Sequence, residues 1–295
     1  MDINFEYYKI FYYVAKYKNM TKAAAALGSN QPNVTRVMKL LESQLDCQLF
    51  IREPRGISLT EQGERLYAHV EIAFQHLLNA QEELCGQERQ GAGTIEIGAT
   101  ETALYLFLLD VMRDFKMKYP KIKIKIHNHA TPEIIRSLLG GKLEFAVVTT
   151  PIPMPQNLFF ENILDFQEIL VGGTKYDFLC QKPVGLQELK DYPWVGLGKG
   201  TCTYDFYKDL FLKHSLDLEL DMEVATFGLM LPLIRNHFGI GFVPESLARP
   251  LLEEKSLVKI QTDCKIPKRS IQIVSDKGRA KSLAADTFYK YLKGF

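Results

Sequence analysis

Apolar residues recur at helical spacing from the start of the chain, with Phe5, Tyr8, Phe11, Val14 and Ala15 falling on one helix face. Residues Ala23 to Leu27 predict a second, short helix, with Thr21 as its capping hydroxyl and Gly28 as its stop. The next stretch, SNQPNVTRVMKLLESQL, carries the stripe Val34, Val37, Leu41 and Leu45. Asn30 is its expected N-cap, and Pro32 sits in the first turn, where it breaks no intrahelical bond. Helix, tight turn, helix is the expected arrangement.

Between residues 61 and 86 the apolar positions are Leu66, Val70, Ala73, Leu77, Ala80 and Leu84, alternating steps of four and three. That is a heptad seam on a helix of roughly 40 Å. A small N-terminal domain offers it no obvious partner, so pairing with another chain is expected; lying on its own protein is the alternative. A hinge, GQERQGAG, follows. From Thr94 the period changes: TIEIGA, KIKIKIH, FAVVT, WVGLG and RSIQIVS read as strands, and helical stretches separate them. Strand and helix in alternation predict α/β architecture, in two lobes of about 100 residues each.

Length supports this division, since 295 residues suffice for about two domains. Net charge is +1, so no global field marks a nucleic-acid binder, but residues 1–60 hold eight Lys and Arg against five Asp and Glu. The basic surplus is local. Five widely scattered cysteines, none in a CxxC pair, suit a reducing compartment better than a disulfide framework. The N-terminus has no apolar signal core and no apolar run reaches the ~18 residues of a membrane span. A soluble, cytoplasmic protein without a membrane partner is expected.

The chemistry begins on the helix that opens at Gln31. Gln31, Asn33, Thr35, Arg36 and Lys39 fall away from its apolar stripe, where amide and guanidinium groups could make bidentate contacts to base edges. A merely solvated face has the same pattern. Arg52 and Arg55 add a short basic flap behind it. His127 and His129 could share one side of a strand, but with no third ligand a metal is not expected. GLGKGT lacks the spacing of a phosphate loop, and its glycines suit turns. The lysines of KIKIKIH suit an edge strand. No Ser/His/Asp set or paired carboxylates occur at a recognisable motif, so neither an enzyme nor a resident cofactor is expected.

Residues 1 to 65 resemble the winged helix-turn-helix of LysR-type transcriptional regulators. The resemblance is carried by Phe11, Ala23 and Ala24, Leu27, Gln31 and Pro32, Arg36, Leu41 and Glu42, Leu49 and Phe50, Arg52, and Leu59 to Gly63. Ser29, Asn30, Thr35 and the pair Asp46–Cys47 depart from the family pattern and bear on operator preference. The resemblance implies a double-stranded DNA operator as partner, contacted by Thr21, Asn30, Gln31, Pro32, Asn33, Thr35, Arg36, Lys39, Arg52 and Arg55.

It extends more weakly over the rest of the chain through GTIEIGAT, Tyr119–Pro120, LLGGKLEFAVV and GIGFVPESLA. It implies a winged helix-turn-helix over 1–60, a linker helix and hinge over 61–90, and an effector-binding domain over 91–295 similar to a two-lobed periplasmic binding protein. Lobe I is expected at about 91–160 and 268–295, lobe II at about 161–267. A small-molecule effector between the lobes would meet Thr100, Glu101, Thr102, Thr131, Thr149, Thr201, Cys202, Thr203 and Phe227. Glu101 could favour an amine or an uncharged polar ligand over an anion. Assembly as a dimer through the linker helix, or as a tetramer, is implied as well. Cys202 falls in the loop where peroxide-sensing members keep a reactive cysteine, but Phe211 stands near the position of its partner. Two alternatives stay open: a thiol-based redox regulator acting through Cys202, and a stand-alone small-molecule binding protein whose N-terminal helices only mediate assembly.

Overall fold

The computed structural model of the chain describes residues 3–53, 56–85, 92–152 and 155–294, without the side chains of 52, 53, 75, 76, 79, 80 and 82–85. It divides into two compact units, Met1–Gln90 and Gly91–Phe295.

The first unit contains α1 (Phe5–Tyr17), α2 (Met20–Ala26), α3 (Gln31–Leu45), a hairpin of β1 (Phe50–Glu53) and β2 (Gly56–Leu59), and α4 (Glu61–Cys85). Its core gathers Phe11 and Val14 of α1, Ala23 and Ala24 of α2, and Val34, Val37, Met38 and Leu41 of α3. Asn30 caps α3 as expected, its Oδ1 accepting from the Asn33 N–H at 2.9 Å. The cap of α2 differs from expectation. Asn19, not Thr21, holds it, with Oδ1 accepting from the N–H groups of Thr21 and Lys22 at 2.9 and 3.0 Å. Thr21 is already inside the first turn, where its own N–H is one of the orphans that a cap must satisfy.

The hairpin is anchored from α3: the Glu42 carboxylate accepts from the N–H groups of Leu49 and Phe50 at 2.8 and 3.2 Å. At the start of α4, Gly63 lies so close to the chain entering β1 that a Cβ there would stand 2.2 Å from the Leu49 carbonyl oxygen. The heptad seam splits. Leu66 and Val70 pack into the unit's own core together with Tyr67 and Phe74, and the Phe74 ring lies 4.6 Å from that of Tyr12. The expectation that the seam lacks a partner within its own domain is therefore corrected for its first half, because the broad tyrosine rings of α1 reach it. Leu77 is 50% exposed. The side chains of Ala80 and Leu84 lie outside the described residues.

The second unit runs β3 (Gly93–Ala99), α5 (Glu101–Ala103), a π-helical segment Leu104–Leu108, α6 (Leu109–Lys118), β4 (Ile122–Asn128), α7 (Thr131–Leu139), β5 (Phe145–Thr149) and β6 (Leu158–Phe166). It continues with β7 (Glu168–Gly173), α8 (Leu186–Leu189), β8 (Val195–Leu197), α9 (Cys202–Lys213), β9 (Met222–Val224) and α10 (Met230–Arg235). Last come β10 (Ile240–Pro244), α11 (Glu245–Glu253), β11 (Leu257–Ile260), β12 (Arg269–Asp276) and α12 (Leu283–Lys293). Lobe I is built on the five-stranded sheet β4-β3-β5-β12-β6, with β3, β4 and β5 parallel and β12 antiparallel to both its neighbours. The KIKIKIH strand, β4, lies at its edge as expected. Lobe II carries the antiparallel sheet β10-β7-β11 and the parallel pair β8-β9.

The lobe boundary moves from the expected residue 160. β6 pairs with β12 from Leu158↔Asp276 to Phe166↔Arg269, so residues 161–166 belong to lobe I and the chain crosses at Gln167. Glu161, Asn162 and Asp165 break the apolar pattern of β6, which has a half-exposed face, and this hides the strand in the sequence.

Val70→Asp should destabilise the first unit by about 3 kcal/mol or more, since it puts an unpaired charge into a core, whereas Leu77→Asp should change the unit's own stability by about 0.5 kcal/mol. Chemical denaturation of both variants, at chain concentrations too low for self-association, checks this; equal losses there would show that Leu77 too belongs to the unit's own core.

Candidate functional site

On the side of α3 away from the core, Gln31, Pro32, Arg36 and Lys39 are exposed, and Asn33 and Thr35 are half-buried at its edge. Short bonds one helical turn apart order this face. Asn33 Nδ2 donates to Ser29 Oγ at 3.2 Å, Arg36 Nη2 donates to Asn33 Oδ1 at 3.1 Å, and Gln31 Nε2 donates to Thr35 Oγ1 at 3.2 Å. They restrain side chains that water would leave mobile, and Arg36 keeps further N–H donors for another acceptor. Asn30 is spent on the α3 cap, so its part is to fix the start of the helix. Thr21 is exposed on the first turn of α2. The side chain of Arg52 and all of Arg55 lie outside the described residues.

In the second unit, parallel strands followed by helices bring loops and helix N-termini to the carboxyl ends of the strands. Lobe I delivers Thr100 and Glu101 after β3, Thr131 after β4 and Thr149 at the end of β5; lobe II delivers Thr201 to Thr203 after β8 and Phe227 after β9. With Thr102, these nine residues all line one cavity of about 580 Å³ between the lobes. Asn128, His129, Glu133, Lys199 and Glu223 line it too, and no pattern in the sequence points to them. Across the cavity's edge the Glu101 carboxylate of lobe I accepts from the Gly228 N–H of lobe II at 2.9 Å. A Cβ on residue 228 would lie 2.7 Å from Glu101 Oε1, so a larger residue there would push the carboxylate aside.

Arg269, at the crossing between the lobes, is 3% exposed. Its five N–H groups make five hydrogen bonds. Nε donates to the Thr150 carbonyl at 2.6 Å, Nη1 to both Glu168 carboxylate oxygens at 3.2 and 3.1 Å, and Nη2 to the hydroxyls of Thr149 at 3.3 Å and Thr203 at 2.9 Å. Phe166 and Phe206 flank the guanidinium at 5.7 and 5.2 Å. The Tyr207 hydroxyl donates to Glu168, and burial next to that carboxylate pushes the phenol well above its ordinary range, so it remains a donor. The sequence reading missed all three residues. One signal existed: a lone arginine opens the apolar strand RSIQIVS and a lone glutamate opens EILVGG, and charges inside apolar strands demand partners.

His127 and His129 do not converge: the first faces Glu96 at 3.1 Å and the second Glu133 at 3.4 Å. In GLGKGT, the Thr201 hydroxyl donates back to the Gly198 carbonyl at 2.9 Å and closes a turn. None of the helices among the described residues is long and apolar enough to cross a membrane.

A helix-turn-helix unit with a two-stranded wing, together with a two-lobed α/β unit that carries a cavity lined by threonines and carboxylates between its lobes, has the build of a ligand-responsive DNA-binding regulator. Comparison with known proteins agrees. Residues 5–64 match the family described as bacterial regulatory helix-turn-helix protein, lysR family, and residues 88–295 match the LysR substrate binding domain. This chain belongs to the LysR family of transcriptional regulators. It is 26% identical over 292 residues to a probable RuBisCO transcriptional regulator of Phaeodactylum tricornutum, covering 95% of this chain and 93% of that one. It is 27% identical over 249 residues to the HTH-type transcriptional regulator YofA of Bacillus velezensis, covering 84% and 83%. Among solved structures it shares its fold with full-length CbnR complexed with target DNA, at a TM-score of 0.68, 20% identity and 99% coverage of both chains. A full-length OxyR variant from Pseudomonas aeruginosa gives a TM-score of 0.69 at 15% identity, with 100% of this chain and 94% of that one covered.

Cys202, in the first turn of α9, is 8% exposed. Burial pushes its thiol above the ordinary range and Asp205 adds to this, while Arg269 and the hydrogen bond with Thr131 pull the other way without prevailing. The neutral thiol is therefore the favoured form, and the reactive thiolate is scarcer than in a free cysteine at every pH below the shifted value. Alkylation of Cys202 in the folded chain, mapped by mass spectrometry, should be at least about tenfold slower at neutral pH than in the urea-unfolded chain, with the rate still climbing above pH ~9. A rate that levels off below neutrality would mean an activated thiol.

Proposed function

We propose that this chain controls transcription by reading a double-stranded operator with the exposed edge of α3, and that a small metabolite held between its two lobes sets that activity. Gln31, Asn33, Thr35 and Arg36 are the base-reading residues; Thr21, Lys39, Arg52 and Arg55 are assigned to phosphate or to the adjacent minor groove. Thr100, Thr102, Thr131, Thr149, Thr201, Thr203, Glu101 and Phe227 are the effector contacts. The observation that carries the reading is the meeting of all these residues, from both lobes, in one cavity of about 580 Å³, a size that suits a small ligand. The half-exposed Leu77 stretch of α4 is assigned to a second copy of the chain, giving a dimer or a dimer of dimers that works in the cytoplasm.

The cavity is read as a binding site without turnover and without a resident cofactor. Cys202, the one thiol in its lining, is buried, and burial disfavours the thiolate that a nucleophile needs. The redox alternative needs a low-pKa, accessible thiol, and both burial and the direction of the shift count against it.

Sites selected from a random DNA pool by the full-length chain give the test. On the selected site Arg36→Ala should lose about 1 to 3 kcal/mol and blur the preference at one base position, while Arg55→Ala should weaken selected and random DNA alike and flatten the salt dependence. Equal losses on selected and random DNA for Arg36→Ala would remove α3 from base reading.

A further inference from the structure

The cavity between the lobes holds two opposite kinds of unspent binding capacity. The first favours an anion. Thr100, 9% exposed, opens the helical run 101–118 without making a capping bond, and its buried Oγ1 has no hydrogen-bond partner. A buried hydroxyl without a partner is costly, and a ligand acceptor beside it would remove that cost. α7, with Ala130 as its N-cap, has no side-chain cap, but Pro132 carries no N–H and the Glu133 N–H donates to the Ala130 carbonyl at 3.0 Å, which leaves the Thr131 N–H; α9, whose Thr201 cap accepts from the Tyr204 N–H, adds the N–H groups of Cys202 and Thr203. Free N–H groups at helix starts favour a carboxylate.

The second favours a cation. The lining carries three carboxylates, Glu101, Glu133 and Glu223, against one lysine, Lys199. Among the described residues no lysine or arginine forms an ion pair with any of the three; Glu133 meets only His129. Glu101 spends one oxygen on the Gly228 N–H, directly beside Thr100 in the chain. A plain dicarboxylate or phosphate would satisfy the helix starts and stand against uncompensated negative charge. A plain amine could donate to the Thr100 hydroxyl but would leave the N–H groups of the helix starts without an acceptor.

We infer that the ligand of this cavity is a small zwitterion of the amino-acid class, with its carboxylate at Thr100 and the helix starts and its ammonium at Glu101. The inference rests on the reading of the cavity as the effector site and adds the chemistry of the ligand. Calorimetry of the full-length chain with the common amino acids tests it, followed by the des-amino acid and the decarboxylated amine of the tightest binder. At least one amino acid should bind, and each truncated analogue should bind at least about tenfold more weakly. Glu101→Gln, which keeps an oxygen for the Gly228 N–H, should weaken the amino acid by about tenfold or more and leave the des-amino acid within about twofold. If no amino acid binds, or the des-amino acid binds as tightly as its parent, or Glu101→Gln changes nothing, the inference is wrong. The cavity reading then stands or falls separately on Thr100→Val. A des-amino acid whose binding drops in Thr100→Val keeps the site and rejects the zwitterion, whereas an amino acid indifferent to both variants binds outside the cavity.

Discussion

A guanidinium can leave water only when each of its donors finds an acceptor, and Arg269 meets that condition with four residues from three separate stretches of chain. Glu168 opens the first strand of lobe II, Thr149 and Thr150 end the central strand of lobe I, and Thr203 lies in the first turn of α9. The arginine thus sits where β6 gives way to β7 and β12 begins, and it also orients two of the threonines that face the ligand cavity. Glu168 is held in turn by Tyr207, whose raised pKa keeps it a donor across the working pH range. Any ligand that draws on Thr149 or Thr203 acts on the same bonds that fix the lobe crossing. A ligand shifts a conformational equilibrium only through contacts that differ between states, and the bonds of Arg269 to Thr149 and Thr203 are what joins the cavity wall to the lobe crossing.

The first unit solves a different problem, that of presenting a polar helix edge at a fixed angle. Its means are local. The Asn30 cap sets where α3 begins, the buried stripe sets which face turns inward, and bonds one turn apart hold Arg36 beside Asn33. Glu42 and Gly63 look unremarkable as letters, yet the first ties the hairpin to α3 and the second lets α4 start against Leu49. Two pieces of the family's sequence pattern therefore have a packing reason, separate from any contact with DNA.

Much of this was legible in the sequence because it follows from periodicity over short distances. The stripes of α1 and α3, the alternation of β4 and the solid apolar run of β5 each declare themselves within ten residues or so. The cavity's threonines were legible only through the family resemblance, which fixes positions that no spacing rule links. What remained hidden depends on contacts across long stretches of chain: the pairing of Glu168 with Arg269 spans 101 residues, and the bond from Gly228 to Glu101 spans 127. The α2 cap was misread for a local reason, since Asn19 and Thr21 are both good capping residues and only the backbone shows which precedes the first turn. The seam of α4 was half misread because a heptad pattern says that a face is apolar without saying what covers it.

The buried arginine holds the lobe crossing and the cavity together. Chemical denaturation of the second unit in the full-length chain, for Arg269→Met alone and with Glu168→Leu, tests it most directly. The single substitution leaves a buried carboxylate without its partner and should cost about 3 to 5 kcal/mol, and the double substitution should recover more than half of that loss. A single variant within about 1 kcal/mol of the parent, or a double variant no better than the single, would contradict the claim.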